Sequence, residues 1–589
     1  MINKIACLIL IYIISIGNTT AQTYKIHSHN DYLQTVPFWK SYSVGVSSIE
    51  ADVFLEKGKL LVAHDRKELS SSRSLEALYL KPLATSIELG LKPDSLQFLI
   101  DIKSEAYTTL DAIVELLKRY PSICKNKAVK IVISGNRPKE AEYVNYPEFI
   151  YFDYQSLNSI KDQKVLDKIA LISLSFKNFT GWNGKGRLTK EDLQTVKNVV
   201  DQAHALKKPF RFWGTADSKT FWYAMAELGV DYINTDKPFE CHQYLNSLPA
   251  RVYENAVFSE VYKPAFKVDG KDEAPKNIIL LIGDGNGLSQ ISATAIANGG
   301  QLSLTQIKNI GLIKTHSSDD LTTDSAAGAT AMATGKKVPN RAIGVDSSGN
   351  AIPNLPEILT KRGYSCGLIT SDEITGATPA SFYAHQKDRS MSKEILNDLK
   401  NSPIKIFAAA SSGADSSQQE LGIFQIVKEI ETLKTQNLPK AGYYFPLEAS
   451  PAPLSDALKN VVSNLASKKA PFFLMAEGAK IDSYGHANII SGLVSEGIAF
   501  DRAISEALKF ADTDGNTLVL ITADHETGGL SIPHGNREQN LIEAEFTTDD
   551  HTATMIPVFA YGPGSQYFRG VYENNELFNK ILTVINLHP

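Results

Sequence analysis

The sequence predicts an α/β protein of two domains, a (β/α)8 barrel followed by a doubly wound α/β domain. Three observations support this prediction. The chain has 589 residues, which is more than one hydrophobic core usually serves. Short β-rich runs alternate with helical patterns from Tyr24 to about Leu248. After Lys276 the chain contains mostly apolar runs of the kind found in buried strands, several of them ending in an acidic residue or His.

The composition is that of an ordinary globular protein. Lys and Arg number 60 against 65 Asp and Glu, which gives a formal net charge of -5, and hydrophobic residues make up 43% of the chain. This balance argues against nucleic-acid binding through net positive charge, against disorder and against a membrane protein with several spans. We expect small-molecule ligands and buried cores.

The first 21 residues predict a secretory signal peptide. Lys4 precedes an almost unbroken apolar run from Ile5 to Ile16, and Thr19 and Ala21 stand in small-residue cleavage positions. A membrane anchor is the alternative, but the run is shorter than the roughly 20 apolar residues that a spanning helix needs. We expect an exported protein, periplasmic or extracellular, with no membrane span after cleavage.

Residues 22–257 contain eight candidate strands. They are YKIHSHND, VSSIEADVF, LQFLIDIK, VKIVISG, FIYFDYQ, ALISLSF, PFRFWGT and DYINTD. Segments between them, such as LDAIVELLKRY, carry apolar residues at helical spacing. Eight strand-helix units of this length suggest a closed barrel, in which functional residues gather at the C-terminal ends of the strands. An open α/β sheet is the alternative.

A linker is predicted over 258–276, where charge, Pro and Gly mix without either period. The second domain then extends over 277–589. Its apolar runs are NIILLIGDG, SCGLITSDE, PFFLMAEGA, NTLVLITADHE and IPVFAYGPG. In a doubly wound sheet, ligands bind beyond the carboxyl ends of the strands, which is where the acidic residues of these runs fall.

Carboxylates and imidazoles dominate the strand ends of the second domain. The set comprises Asp284, Thr378, Glu477, Asp482, His486, Asp524, His525 and His551. Oxygen ligands suit Mg²⁺ and mixed His-carboxylate sets suit Zn²⁺, so these residues are candidate ligands for more than one divalent cation. Each of them alone is more often structural, as a helix cap or a satisfied histidine.

The run LTTDSAAGATAMATG places Ser325 at the start of an Ala-rich helix, where free N–H groups favour a phosphate. The alternative is that Asp324 or Ser325 only caps the helix. With GDG, ATPA, EGAKID, TADHE and a late HT in this order, the chain from about Lys276 onward resembles the alkaline phosphatase family. The TDSA motif favours phosphomonoester hydrolysis over the reactions of the related sulfatase and mutase branches.

This resemblance implies roles for individual residues. Ser325 would be the nucleophile that forms a phosphoseryl intermediate, and Arg389 would bind the phosphoryl oxygens. The resemblance further implies two Zn²⁺ and one Mg²⁺. Their ligands would be Asp482, His486 and His551 for the Zn²⁺ that activates water; Asp284, Asp524 and His525 for the Zn²⁺ that stabilises deprotonated Ser325; and Asp284, Thr378 and Glu477 for Mg²⁺.

The chain departs from the family pattern at two positions. Gly376 stands where members commonly carry Asp or His, two places before the Thr of ATPA, and Ser483 stands where they often carry Lys or His. Both departures remove a charge next to the metal ligands, which would alter Mg²⁺ affinity, pH optimum and phosphate release. His385 precedes Arg389 in a matching context and is assigned a supporting role.

The first half contains a second set of functional candidates near its early strand ends. The set is His29, Glu50, Asp52, His64, Asp101 and Lys103. Two histidines can share acid-base work at phosphorus, while a carboxylate cluster binds a hard cation. The alternative is that the carboxylates lie on a solvated strand face and that the His64-Asp65 pair is a turn.

These residues stand in the motifs SHNDY, IEADVF, VAHD and LIDIK, and NTDKP follows near the last predicted strand. Together the motifs resemble the glycerophosphodiester phosphodiesterase and phosphatidylinositol-phospholipase-C-like barrels. The resemblance implies that His29 and His64 are the acid-base pair. It also implies that Glu50, Asp52 and Asp101 bind Ca²⁺ or Mg²⁺. Asn30 replaces the usual Arg of this family, and Asp101 replaces the usual Glu. Three further residues complete the prediction: His27 as a competitor for the His29 role, and Arg211 and Trp213 as contacts for a phosphate and a polar headgroup.

Together the two halves suggest an exported bifunctional phosphohydrolase acting on small phosphate esters. The barrel would cleave a phosphodiester, such as a glycerophosphodiester, and the second domain would release phosphate from the resulting monoester. Two alternatives remain for the barrel. It is either a non-catalytic module that binds lipid or glycan, or a lyase that forms a cyclic phosphate.

Overall fold

The computed structural model describes residues 24–91, 95–411, 421–435 and 438–587. They form two compact units, with the boundary between Pro249 and Ala250. The predicted signal peptide lies outside the described residues. Among the helices that are described, none is long and apolar enough to cross a membrane.

The first unit is built on a nine-stranded sheet. Its strands are β1 (Lys25–Ser28), β2 (Ser48–Glu56), β3 (Lys59–Val62), β4 (Leu96–Ile102), β5 (Val129–Gly135), β6 (Ile150–Tyr154), β7 (Ile169–Ser175), β8 (Phe210–Trp213) and β9 (Tyr232–Thr235). Eight of them are parallel and closed, because β1 pairs with both β2 and β9. Strand β3 pairs antiparallel with β2 outside this ring. The prediction of an eight-stranded barrel is therefore confirmed.

The strand β2 explains how this sheet carries polar groups inside a closed barrel. Successive side chains of a strand point to opposite faces, so Glu50 and Asp52 share one face while Ile49, Ala51 and Val53 share the other. All five residues are almost fully buried. The apolar set packs outward under the helices, and the two carboxylates point into the barrel, where Asp52 lies opposite Asp101 of β4 in the register of the two strands.

Helices connect the barrel strands and cover the barrel. They are α1 (Trp39–Ser43), α2 (Lys81–Glu88), α3 (Ala106–Leu117), α4 (Pro121–Cys124), α5 (Gln163–Asp167), α6 (Lys190–Ala205), α7 (Lys219–Glu227) and α8 (Pro238–Arg251). Side-chain caps begin several of them. Thr189 accepts a hydrogen bond from the backbone N–H of Asp192 at the start of α6, which satisfies a donor that the helix itself leaves free.

The second unit contains fifteen described strands. They are β10 (Val252–Glu254), β11 (Asn277–Gly283), β12 (Asn309–Lys314), β13 (Ser365–Glu373), β14 (Ile404–Ser411), β15 (Gln425–Val427), β16 (Ala441–Pro446), β17 (Phe472–Gly478), β18 (Thr517–Thr522), β19 (Glu526–Thr527), β20 (Ser531–Asn536), β21 (Leu541–Glu545), β22 (His551–Thr552), β23 (Ile556–Tyr561) and β24 (Gly570–Glu573). The five apolar runs predicted from the sequence correspond to β11, β13, β17, β18 and β23.

Ten of these strands form one sheet in the order β15-β16-β14-β13-β17-β11-β18-β23-β12-β24. Neighbouring strands are parallel except where β23 pairs antiparallel with β18 and β12. The sheet is therefore mixed. Alternate residues of the central strand β11 enter different cores, with Ile279 and Leu281 in one and Ile278 and Leu280 in the other. This two-sided burial explains why the central strands read as continuous apolar runs.

The helices of the second unit are α9 (Leu288–Ala297), α10 (Ser325–Thr334), α11 (Leu355–Thr360), α12 (Ala377–Ala380), α13 (Ser392–Asn401), α14 (Thr432–Thr435), α15 (Leu454–Ser467), α16 (Lys480–His486), α17 (Ile490–Asp514) and α18 (Glu576–Val584). Helices α9, α15 and α17 supply one core, and α10, α11, α13 and α18 supply the other. The segment 258–276 contains no helix or strand. It is held to this unit by hydrogen bonds such as Tyr262 to Asp512 and Phe266 to Tyr561.

Candidate active sites

Ser325 is the first residue of α10 and is almost completely buried. The preceding Asp324 caps the helix by accepting a hydrogen bond from the N–H of Ala327 at 3.0 Å. The capping role therefore belongs to Asp324, and the Ser325 hydroxyl is not used for it. Small residues let the helix approach the strand ends closely. A Cβ on Gly328 would already lie 3.2 Å from the carbonyl oxygen of Asp524.

The first cluster of candidate metal ligands lies beside Ser325 and comprises Asp284, Asp524 and His525. Asp284 follows β11, and Asp524 and His525 follow β18, which is its neighbour in the sheet. The His525 Nε2 atom lies 3.4 Å from Asp284 Oδ1 and 3.2 Å from Asp524 Oδ2. It also lies 3.3 Å from the Ser325 hydroxyl. The nucleophile candidate and three candidate ligands therefore meet at one point.

The second cluster brings together Asp482, His486 and His551. Asp482 and His486 are four residues apart on α16, so they share one helix face. His486 Nε2 lies 3.3 Å from Asp482 Oδ2 and 3.1 Å from His551 Nε2. His551 stacks on His525, with ring centroids 3.5 Å apart, and thereby joins the two clusters.

Two further predicted magnesium ligands, Thr378 and Glu477, are buried in the same unit as Asp284. Glu477 ends β17, and its carboxylate accepts a hydrogen bond from Thr370 of the adjacent β13. Thr378 lies in α12 and is almost fully buried. Its Oγ1 has no hydrogen-bond partner among the described residues. The charge of Glu477 contributes to raising the pKa of Asp284, after burial and the charges of Asp524 and Asp482.

The electrostatics of these clusters favour divalent cations. Burial, followed by the charges of Asp524, Asp482 and Glu477, raises the pKa of Asp284 well above its usual range. Burial and neighbouring carboxylates raise the pKa of Glu477 to about 8. Two buried oxygens, Asp284 Oδ1 and Asp524 Oδ2, have no hydrogen-bond partner among the described residues. Unpartnered carboxylate oxygens facing imidazoles are the donor set that Zn²⁺ takes, so these residues fit the ions that the sequence predicts.

Arg389 contacts the residue that precedes Ser325. Its Nη1 atom lies 3.1 Å from Asp324 Oδ2, on the residue before Ser325. The guanidinium remains about one-third exposed, which leaves donors for a bound phosphate. His385 instead contacts Glu357 at 3.0 Å and the carbonyl of Gly344 at 2.8 Å, so it supports the loop that precedes Arg389.

In the barrel, Glu50, Asp52 and Asp101 form a cluster whose oxygens lie within 4.8 Å of one another. Asp52 Oδ1 and Asp101 Oδ1 are buried and have no hydrogen-bond partner within the part of the chain that the structure describes. Burial, followed by the charge of Glu50, raises the pKa of Asp101 to about 7. Lys103 compensates some of this charge, with its Nζ 3.2 Å from Asp52 and 3.4 Å from Asp101. This all-oxygen set suits Ca²⁺ or Mg²⁺.

The two predicted catalytic histidines flank this cluster. His29 follows β1, with Nδ1 2.7 Å from Asp236 and Nε2 3.8 Å from Glu50. Burial lowers the pKa of His29, but these two carboxylates outweigh it and the net pKa is raised. His64 follows β3, and its Nδ1 lies 3.1 Å from Asp52 Oδ2. Its side chain is 56% exposed, so it is open to solvent and to a ligand.

His27 is not equivalent to His29. It is fully buried, with Nδ1 2.7 Å from Ser48 and Nε2 2.7 Å from Glu50. Burial and the charge of Arg211 lower its pKa to about 3. A neutral, enclosed imidazole of this kind orients Glu50, which leaves His29 as the early histidine that faces the cavity.

The barrel cavity has a volume of about 400 Å³ and opens at the C-terminal ends of the strands. Its lining includes His29, His64, Lys103, Arg211 and Trp213. Arg211 is 2% exposed, and its Nη1 lies 2.9 Å from Glu50. It therefore holds the carboxylate as well as lining the cavity. Trp213 is 39% exposed at the rim of the cavity.

Polar contacts that sequence reasoning missed hold the barrel site in place. Tyr32 donates to Asp52 at 2.9 Å and to Asn30 at 2.7 Å, and Asp236 orients His29. Gly135 has φ +67°, and a Cβ there would overlap Asp101 Oδ1. The SHNDY and NTDKP motifs contained Tyr32 and Asp236, but only the closed barrel brings β1 and β9 together.

Comparison with known proteins agrees with this geometry. The alkaline phosphatase family model matches residues 275–408 and 411–545. In the barrel, an AIM6-like phosphodiesterase domain matches residues 18–93, and the glycerophosphoryl diester phosphodiesterase family matches 209–238. These three matches cover both sets of candidate residues in part.

The individual relatives below are alkaline phosphatases. Alkaline phosphatase 4 of Bacillus subtilis is 28% identical over 437 residues, covering 57% of this chain and 94% of that protein. Alkaline phosphatase of Escherichia coli is 28% identical over 410 residues, covering 54% of this chain and 87% of that protein.

Among solved structures, alkaline phosphatase from the Antarctic bacterium TAB5 is 42% identical, with a TM-score of 0.50, and the match covers 54% of this chain and 99% of that one. A variant of the TAB5 enzyme has Mg bound in its M3 site. The C-terminal unit of this chain therefore belongs to the alkaline phosphatase family, and it follows a phosphodiesterase-like barrel.

Proposed function

We propose that the chain is an exported bifunctional phosphohydrolase. Its barrel cleaves a phosphodiester of the glycerophosphodiester type, and its C-terminal unit hydrolyses the phosphomonoester that results. The observation that carries the proposal is the presence of two separate built sites, one with an acid-base histidine pair beside an all-oxygen cation cluster, the other with Ser325 beside mixed imidazole-carboxylate clusters. Tethering would raise the effective concentration of the second site near the first product.

In the phosphatase unit, the N-terminus of α10 and Arg389 bind the phosphoryl oxygens. The Ser325 oxygen attacks phosphorus, the bond to the alcohol oxygen breaks, and a phosphoserine forms. Water then cleaves the phosphoserine and releases inorganic phosphate. The residues that would hold two Zn²⁺ and one Mg²⁺ are those of the clusters described above. When bound, these cations would neutralise the carboxylates and stabilise the charge on the attacking and leaving oxygens.

In the barrel, His29 and His64 exchange protons with the attacking and leaving oxygens of the diester. Asp236 and Asp52 orient the two imidazoles. Lys103 and the open side of the cavity receive the phosphate, while Trp213 contacts the headgroup. A cation in the Glu50, Asp52 and Asp101 cluster would offset the negative charge of the phosphodiester.

A second cavity favours a polar headgroup over a hydrocarbon one. It has a volume of about 510 Å³, and its lining is mostly polar, including Asn136, Arg137, Lys139 and Gln155. Asn136 and Gln155 line the catalytic cavity as well. The leaving group of the diester would therefore extend over a polar surface that can form hydrogen bonds with the hydroxyl groups of a glycerol-type alcohol.

Variants that disable one site at a time test the proposal. We expect His29→Ala and His64→Ala to lose diester turnover and to keep hydrolysis of a simple monoester, because the residues that they alter belong to the barrel. Ser325→Ala should show the reverse. If neither histidine variant changes turnover of any phosphodiester, the barrel is a binding module. A cyclic phosphate in the ³¹P spectrum of the products would identify it as a lyase.

A further inference from the structure

The carboxylate of Asp372 occupies the space beside Gly376, the position at which the sequence departs from the alkaline phosphatase pattern. A Cβ built on Gly376 would lie less than 3 Å from Asp372 Oδ2, which is closer than a real Cβ approaches another atom. Gly376 has φ -55° and ψ 155°, a conformation that any residue adopts. Glycine is therefore required at position 376 because a side chain would not fit there, and not because of the backbone conformation. The group that fills the space is the Asp372 carboxylate.

Asp372 is fixed in this place from two sides. Its backbone N–H donates to Thr370 Oγ1 at 2.9 Å, and the same hydroxyl donates to the carboxylate of Glu477. Its side-chain Oδ1 accepts a hydrogen bond from the N–H of Glu373 at 2.7 Å. One hydroxyl thus links the backbone of Asp372 to the Glu477 carboxylate. The aspartate is held as part of the strand end and not as a mobile surface group.

The charge of the Asp372 carboxylate acts on Glu477 and on Arg389. After burial, the charge of Asp372 is the largest cause of the raised pKa of Glu477. Burial raises the pKa of Asp372 itself, and Arg389 and Lys480 partly offset this effect. Gly376, which Asp372 covers, begins the short helix that carries Thr378. Asp372 therefore acts by its charge on Glu477 and Arg389, and by its contact with Gly376 on the helix that carries Thr378.

We propose that Asp372 is a positioning residue of the magnesium site, supplying from the end of β13 the carboxylate that a side chain at position 376 would otherwise provide. It stabilises bound Mg²⁺ by adding a negative charge outside the ligands. The inference rests on the magnesium site of the proposed function, and it assigns to that site a residue that no motif of the sequence marks.

A charge-relocation experiment tests this inference. Mg²⁺ is titrated into the zinc-loaded full-length protein by isothermal calorimetry, and bound Mg²⁺ is counted by metal analysis. We expect Asp372→Ala and Asp372→Asn to weaken Mg²⁺ binding by about 10- to 100-fold, the usual effect of removing a group that supports metal ligands. Zinc content should stay unchanged. Asp372→Asn keeps the shape of the side chain, so its effect reports the charge.

The double variant Asp372→Ala/Gly376→Asp returns a carboxylate to the same space from the other position. We expect it to regain most of the Mg²⁺ affinity lost in Asp372→Ala. Gly376→Asp alone should lower the melting temperature, because two carboxylates then compete for one space. Glu373→Gln, which neutralises the exposed neighbouring carboxylate, is the matched control and should bind Mg²⁺ like the wild type.

Unchanged Mg²⁺ affinity in both Asp372 variants would overturn the inference, and so would a double variant that binds no better than Asp372→Ala. The readout is separate from the proposed function. If the chain hydrolyses no phosphomonoester but loses Mg²⁺ affinity in the Asp372 variants, the proposed function fails and the inference stands. If hydrolysis is intact and Mg²⁺ affinity is unchanged in those variants, the inference fails alone.

Discussion

Replacing Glu50 by Gln should destabilise the barrel far more than the same change elsewhere on the same strand. The Glu50 carboxylate lies 2.9 Å from the Arg211 guanidinium, with the two side chains 4% and 3% exposed. Its Oε2 atom also lies 2.7 Å from His27 Nε2. Glu50→Gln removes the nearer of the two charges that compensate Arg211. The enclosed cation then keeps only Asp153, whose Oδ2 lies 3.9 Å from Nη2.

The magnitude follows from this enclosure. Removing one partner of a buried ion pair costs about 3–5 kcal/mol. Arg211 keeps its hydrogen bond to Asn234 Oδ1 at 3.0 Å, and the new amide oxygen can still accept one, so we expect the lower end, about 3 kcal/mol. For a unit of this size, that loss corresponds to a fall in melting temperature of roughly 6–12 °C.

The matched control is Glu56→Gln on the same strand. Glu56 pairs with Arg66 at 3.0 Å, but the side chains are 32% and 66% exposed, so the loss should be below about 1 kcal/mol. Both variants are unfolded in urea with EDTA present, and hydrogen exchange of peptides from β4 to β8 reports the barrel separately from the phosphatase unit. Equal free energies of unfolding for the two variants would refute the assignment of Glu50 as the counter-ion of a buried arginine.

Three further predictions concern the two sites. His64→Ala should lower diester turnover by about 10²- to 10⁴-fold, the usual contribution of a general acid or base. The control is His204→Ala, which removes an exposed histidine paired with Asp231 on the barrel surface and should leave turnover unchanged. Equal losses in the two variants would contradict the role of His64. Removing metal from the phosphatase unit should lower its melting temperature, and at a Zn²⁺ concentration 1,000 times the Kd the recovered stability should be about 4 kcal/mol. A melting temperature that does not change when a chelator is added would contradict metal binding by the clusters. The metal-free phosphatase unit should lose stability as pH rises from about 6 to 9. Burial raises the pKa of Glu477 to about 8, and hydrogen bonding to Asp482 raises the pKa of His486 to about 9, so the folded state binds more protons than the unfolded state across this range. Urea unfolding at pH 6 and pH 9 measures the difference, and greater stability at pH 9 would contradict the prediction.

The sequence predicted the barrel and the central strands of the second sheet because their apolar and β-rich residues recur at strand spacing. It missed β3, which has only four residues and pairs antiparallel outside the barrel ring. It also missed β14, whose residues IKIFAAAS include three alanines that favour helices in isolation. In both cases pairing with neighbouring strands, which local propensity does not contain, determines the structure.

The candidate site residues were predictable where a motif keeps them adjacent, as in TADHE or IDSYGH. Contacts between distant segments were not. His27 and His29 are two residues apart, so the pattern alone could not separate their roles; β1 ends at Ser28, and only His29 leaves the strand to face the cavity. Asp372 and Asp236 stand near the ends of predicted strands, but the sequence does not show which groups they contact. The fold brings them beside Gly376 and His29.

The central claim is that two sites act in sequence on one phosphodiester. The most direct test is a time course of phosphomonoester and inorganic phosphate formed from a glycerophosphodiester, for wild type and Ser325→Ala, in Zn²⁺, Mg²⁺ and Ca²⁺. We predict that wild type releases inorganic phosphate and that Ser325→Ala accumulates the monoester at an undiminished rate of diester cleavage. Wild type that hydrolyses a simple monoester but leaves the diester intact would contradict the claim.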